Sequence, residues 1–331
     1  MKESQFGPYC AFTPDPKVYI ERERVKRIAT FVGMPCIFVL LFSYVLKYVL
    51  LAIALIFPSF REAFTAAAAS PATEQALQIV LSLLLFTVPF IISCRKYGRT
   101  ITETVPFSKP EGGHAVAYFF MGLGFCAFAN MASGYLSSFF EGMGFEYSMP
   151  SSALPQGIYG FLLCVIATAV MPALAEEFAF RGILQGMLLP FGEGFSIIVS
   201  AVFFGVMHGN FVQIPFAFTV GLILGYIRVK TGSVRICMAV HFANNLVSVL
   251  LDFFSESLAY GVGNAIYILF LVLSLALGAA AALTKGIRQD IKVKESDMRI
   301  NTSSKYLYMF TNPAVIVFAV IALLESLRWL V

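Results

Sequence analysis

From Ile28 onward the chain is a succession of long apolar runs parted by short polar ones, and this decides most of what it can fold into. The runs cover about residues 28–57, 76–94, 114–140, 157–189, 196–208, 211–229, 236–253, 262–284 and 313–331. A bilayer core about 30 Å thick takes about 20 apolar residues of helix, a length most of these runs reach. Charged residues make up 13% of the chain, about half the roughly 25% of a soluble domain. The expectation is an all-α fold: a polytopic transmembrane helical bundle of eight to nine spans, integral to a membrane, the cell membrane if the source is prokaryotic. A polar tail, residues 1–27, precedes a bundle over 28–331.

Lysine and arginine orient the spans. With the N-terminus inside, the inner segments hold 19 of the 23 Lys and Arg residues, the asymmetry of the positive-inside rule. The longest polar stretch, 285–312, reads as a solvated basic loop near anionic lipid. Six cysteines stand singly in the chain, without the spacing of a disulfide framework or a cysteine-rich zinc site. Gly205-x-x-x-Gly209 and Gly221-x-x-x-Gly225 are patterns for close helix packing. Nothing points to nucleic acid; membrane lipid and a peptide or protein substrate are the expected partners.

Charges at bilayer depth are costly and mark function, and here they concentrate in one stretch. Glu176, Glu177 and Arg181 lie within the run 157–189. Glu177 and Arg181 are i and i+4 on a helix and can neutralise each other. Glu176 points about 100° away and has no partner in its own helix. His208 ends one later run, and His241 and Asn245, again i and i+4, share a face in another. Counting back from the turn at Pro190, Glu176 stands about 21 Å up its helix; counting forward from Phe195, His208 stands about 20 Å up the next. Three helices can thus bring Glu, His, His and Asn into one intramembrane pocket, and the intramembrane polar groups fall mostly within 176–245.

At these residues the sequence resembles the CAAX-protease and bacteriocin-processing (CPBP/Abi) family of intramembrane proteases, which includes the type II CAAX prenyl endopeptidases. Its pattern of Glu-Glu-x-x-x-Arg, Phe-x-x-x-His and His-x-x-x-Asn reads here as Glu176-Glu177-Phe-Ala-Phe-Arg181, Phe204-Gly-Val-Met-His208 and His241-Phe-Ala-Asn-Asn245. The resemblance covers about residues 155–250. It implies an endopeptidase in which Glu176 activates a water with help from His208, His241 and Asn245 stabilise the oxyanion, and Glu177 and Arg181 support the helix. The substrate would be membrane-associated, lipidated or not.

Two other readings stand beside it. One is a proton-coupled transporter using Glu176, His208 and His241 as a relay; the other is a non-catalytic immunity or scaffold protein. A second ambiguity concerns metal. Glu176, His208 and His241 could form a two-histidine, one-carboxylate zinc set with water in the fourth position. The His-Glu-x-x-His helix is absent, and the spacing of His241 and Asn245 suggests a hydrogen-bonded pair. No cofactor is the expectation, with zinc as the alternative.

Overall fold

Prolines and glycines decide where the helices begin, bend and touch. The computed structural model describes residues 15–68, 70–110, 114–145, 154–254, 261–289 and 291–328; the tail 1–14, with Cys10, lies outside them. The elements in chain order are α1 (Pro16–Ile56), α2 (Pro58–Ala68), α3 (Pro71–Tyr97), α4 (Ile101–Thr104) and α5 (Ala115–Gly142). Next comes α6 (Gly157–Phe191), one long helix with π-helical stretches at Val165–Val170 and Phe178–Leu184. The rest are α7 (Glu193–Met207), α8 (Gln213–Thr231), α9 (Arg235–Phe254), α10 (Val262–Ala282), α11 (Lys285–Gln289), α12 (Thr302–Phe310) and α13 (Pro313–Leu327). No strand occurs among the described residues, and the protein is an all-α integral membrane bundle.

Among the described residues seven helices are long and apolar enough to cross a membrane: α1, α3, α5, α6, α8, α9 and α10. An eighth span results if α12 and α13, bent by 62° at their junction, are one unit. The run 196–208 belongs to α7, which has 15 residues and is shorter than a full crossing.

α1 begins earlier than the apolar run within it. Asp15 caps it by accepting the Lys17 N–H at 2.9 Å, with Pro16 at its first turn. Arg22, Glu23 and Lys26 then lie on helix, paired at 3.0–3.2 Å. At 41 residues and about 1.5 Å each, α1 is about twice the thickness of the bilayer core, so its charged first turns stand clear of it. Pro35 interrupts it. A proline has no N–H to return to the carbonyl four residues back, here that of Phe31, and the Ser93 hydroxyl of α3 donates to that carbonyl instead.

Small residues set the closest approaches. On the antiparallel pair α7 and α8, a Cβ at Gly221 would lie 2.9 Å from Ala201 Cα, and one at Gly205 would lie 3.0 Å from the Ile214 carbonyl oxygen. Gly209 does not pack in this way. At φ +56° it turns the chain out of α7, and Asn210 caps α8 through the Val212 and Gln213 N–H groups at 2.9 and 3.1 Å. A further pair, Gly182 and Gly186 on α6, lets α4 press in, although the Gly-x-x-x-Gly patterns noted in the sequence did not include it. A Cβ at Gly186 would meet the Thr104 carbonyl oxygen at 2.4 Å, and one at Gly182 would meet Val105 at 2.9 Å.

Two apolar clusters result. One gathers Phe90, Phe180, Phe203, Phe204 and Phe318 from α3, α6, α7 and α13; the other gathers Met121, Leu224, Cys237 and Val240 from α5, α8 and α9. The five described cysteines are free and buried. Beneath the bundle the 285–312 stretch departs from a solvated loop. Lys305 on α12 is buried and donates to the Phe191 carbonyl at 3.0 Å and to Ser296. The Glu193 carboxylate accepts the Lys294 N–H at 2.6 Å. The stretch is a strap tied under the α6–α7 turn, because the Phe191 carbonyl and the Glu193 carboxylate there accept from Lys305 and from the Lys294 N–H.

Candidate active site

α6 carries the charged part of the site. Glu177 and Arg181 are buried, and Arg181 Nη1 donates to Glu177 Oε1 at 3.0 Å across one turn. The same oxygen accepts a second bond, from His241 Nδ1 of α9 at 2.8 Å. One carboxylate therefore joins a guanidinium on its own helix to an imidazole on another. This corrects the expected His241–Asn245 pair. The His241 ring turns away from its i+4 neighbour because an anionic oxygen is a stronger acceptor than an amide.

Asn245 finds its partner elsewhere. Its Nδ2 donates to the Thr168 carbonyl at 3.0 Å. Thr168 lies four residues before Pro172, which has no N–H to give it. The π-helical stretch Val165–Val170 accommodates the same proline. The proline that precedes Glu176 by one turn thus supplies the anchor for Asn245.

His208 stands just past the end of α7, at its C-cap. Its Nδ1 is 2.8 Å from the Phe204 carbonyl oxygen. A carbonyl can only accept, so Nδ1 carries the proton and Nε2 is left as the lone-pair nitrogen of the neutral ring. Glu176, half-buried, makes no side-chain hydrogen bond among the described residues, yet it is near enough to act electrostatically on His208, as are His241 and Arg181.

Phe204 is the spacer among these groups, a role its place in the motif did not reveal. Its ring meets His208 edge-on at 4.9 Å and His241 at 6.1 Å between centroids. The Arg181 guanidinium carbon lies 4.0 Å from the ring centre. Such a cation over a desolvated aromatic face is worth about 2 kcal/mol. Arg181 Nε and Nη2 have no hydrogen-bond partner among the described residues, so the ring face is their compensation. A cavity of about 280 Å³ reaches His208 from the side of α1, α3 and α13, walled by Val39, Leu85, Phe86, Met207 and Ile321 with Glu325 at its edge.

Two further residues reach the site from outside the motif. Asn130 of α5 donates to Asn244 Oδ1 at 3.0 Å, and Asn244 Nδ2 donates to Asn245 Oδ1 at 3.2 Å. An asparagine within an apolar run was the available signal, but Asn130 lies well before 176–245. Arg228, buried on α8, donates to the Arg181 carbonyl at 2.9 Å and to the Thr104 carbonyl at 3.1 Å, fixing the lower half of α6 against α4.

No three His, Cys, Asp or Glu side chains among the described residues are grouped to hold a metal ion. His241 Nδ1 is held by Glu177 and His208 Nδ1 by a backbone carbonyl, which leaves Nε2 of each ring as the nitrogen a metal would use.

Residues 158–247 match the family model described as Type II CAAX prenyl endopeptidase Rce1-like. The match spans α6 to α9, and so takes in Glu176 on α6, His208 at the end of α7, and His241 and Asn245 on α9. No curated protein and no solved structure matches the chain.

Proposed function

We propose that this chain, which carries a domain of the type II CAAX prenyl endopeptidase family over residues 158–247, is a glutamate-dependent intramembrane endopeptidase acting on a prenylated peptide or protein. The observation that carries the reading is the Glu177 carboxylate bridging α6 to His241 of α9, with Glu176 within electrostatic reach of His208 at the end of α7. These contacts support a reading in which three helices of the domain supply acid, base and amide to one site.

In this reading Glu176 takes a proton from a water as the water oxygen bonds to the scissile carbonyl carbon. His208 holds that water through Nε2, its Nδ1–H being fixed on Phe204. The carbonyl oxygen becomes an oxyanion, and such charge is best met by donors already in place. Asn245 offers the amide proton not given to Thr168. His241 offers Nε2–H when doubly protonated, with Glu177 balancing the charge. The C–N bond breaks as the proton on Glu176 passes to the leaving nitrogen, giving a carboxylic acid and an amine; the acid then gives its proton to the amine, leaving a carboxylate and an ammonium with Glu176 ionised again. No step requires a metal.

The test is cleavage of a quenched-fluorescence peptide carrying a farnesylated cysteine three residues from its C-terminus, by full-length protein in liposomes. Wild type should cleave it, and Glu176→Gln should lose about 10²–10⁴-fold in rate, the contribution of a positioned base, while remaining monodisperse with an unchanged melting temperature. Full activity in Glu176→Gln would sink the assignment.

A further inference from the structure

We propose that Asn130, on α5 and outside the family-matching domain, is a positioning residue that fixes the orientation of Asn245 through Asn244. The inference rests on the peptidase reading for its effect on rate, and on the hydrogen bonds alone for the relay itself.

The relay has one polarity. At one end the Thr168 carbonyl can only accept, so Asn245 must face it with Nδ2, at 3.0 Å. Asn245 Oδ1 is then turned to the Asn244 amide nitrogen, 3.2 Å away. Asn244 Oδ1 is in turn left for Asn130 Nδ2, at 3.0 Å. The other end is closed by a second carbonyl, because Asn130 Nδ2 also donates to Cys126, one turn back on α5, at 3.0 Å. Reversing any one amide would set oxygen against oxygen or N–H against N–H at about 3 Å, where buried polar groups bear such mismatches poorly. Three side chains on two helices are therefore locked in sequence between two backbone carbonyls.

The consequence falls on Asn245. One of its two amide protons goes to Thr168, and the relay pins its oxygen, so a single N–H remains with a fixed direction. An oxyanion donor is useful only if it is already aimed. Without Asn130, Asn244 can turn over, and Asn245 then loses the partner that holds its plane.

Two measurements on the full chain test this. The first is a double-mutant cycle of melting temperatures for Asn130→Ala and Asn245→Ala. No hydrogen bond joins these two side chains among the described residues, so coupling between them must pass through Asn244. Losses in the double variant smaller than the sum of the single losses support the relay; additive losses overturn it. The second uses the farnesylated reporter. Asn130→Ala should lower kcat by about 10- to 100-fold, the scale of a misplaced catalytic group, with KM unchanged. Isosteric Asn130→Asp offers only acceptors when ionised, so its kcat relative to wild type should be low at high pH and rise as the carboxyl takes up a proton and becomes a donor. A packing role would instead leave Asn130→Asp near wild type at every pH, which would overturn the proposal. If wild type fails to cleave the reporter, the peptidase reading fails and the melting cycle alone decides the relay.

Discussion

His241 Nδ1 donates to Glu177 Oε1 at 2.8 Å, and that bond ties the family motif on α9 to the one on α6. Because the oxygen also receives Arg181, Glu177 has two dependants. Glu177→Gln should therefore do more harm to folding than Glu176→Gln. It leaves the Arg181 charge buried and unpaired, which costs about 3–5 kcal/mol, and removes the charge that orients His241. A clear fall in melting temperature and folded yield is expected, with reduced cleavage per folded molecule. A variant as stable and active as wild type would refute this role.

Adjacent phenylalanines on α7 separate packing from the site. Phe203 and Phe204 are both buried. Phe203 stacks on Phe318 at 5.2 Å, whereas Phe204 meets Arg181, His208 and His241. Phe203→Leu should lower the melting temperature and leave kcat intact. Phe204→Leu should lower both, losing in addition about 2 kcal/mol of cation–π attraction. Equal kinetics in the two variants would remove Phe204 from the site.

The orientation inferred from lysine and arginine can be read by labelling. The five described cysteines are buried, so with Cys10 replaced a single new thiol reports its own side. An impermeant maleimide should reach Lys294→Cys from the inside and Met143→Cys from the outside. Labelling of position 294 from outside would reverse the topology.

Cleavage should survive chelation. In the proposed reaction Glu176 activates the water and no step uses a bound ion, although the Nδ1 bonds of His241 and His208 leave both Nε2 atoms open to one. Active, purified protein should contain no stoichiometric zinc. Zinc lost together with activity, and both restored on adding it back, would overturn this assignment.

Local spacing made some of this legible and left the rest hidden. The i, i+4 rule finds neighbours on one helix, as with Glu177 and Arg181, because helix geometry alone decides them. It fails for His241, whose partner depends on how α9 is rotated against α6. It also fails for Asn130, which reaches the site through two intervening amides. The π-helical stretches of α6 change the residues per turn on both sides of Met171–Glu177, so no regular-helix count fixes where its faces point. Lys305 looked like loop charge because its acceptor on Phe191 lies far away in the chain, and no short-range pattern encodes it.

Twice among the described residues a proline inside a helix is matched by a polar side chain on another. Pro35 leaves the Phe31 carbonyl to Ser93, and Pro172 leaves the Thr168 carbonyl to Asn245. Each proline and its distant partner then form one heritable unit. A chain that replaced Pro172 with alanine would return an N–H to Thr168, weaken the case for an amide at 245, and free that position to drift. Among relatives the members of each pair should be gained and lost together, so that the record of substitutions carries the imprint of two carbonyls.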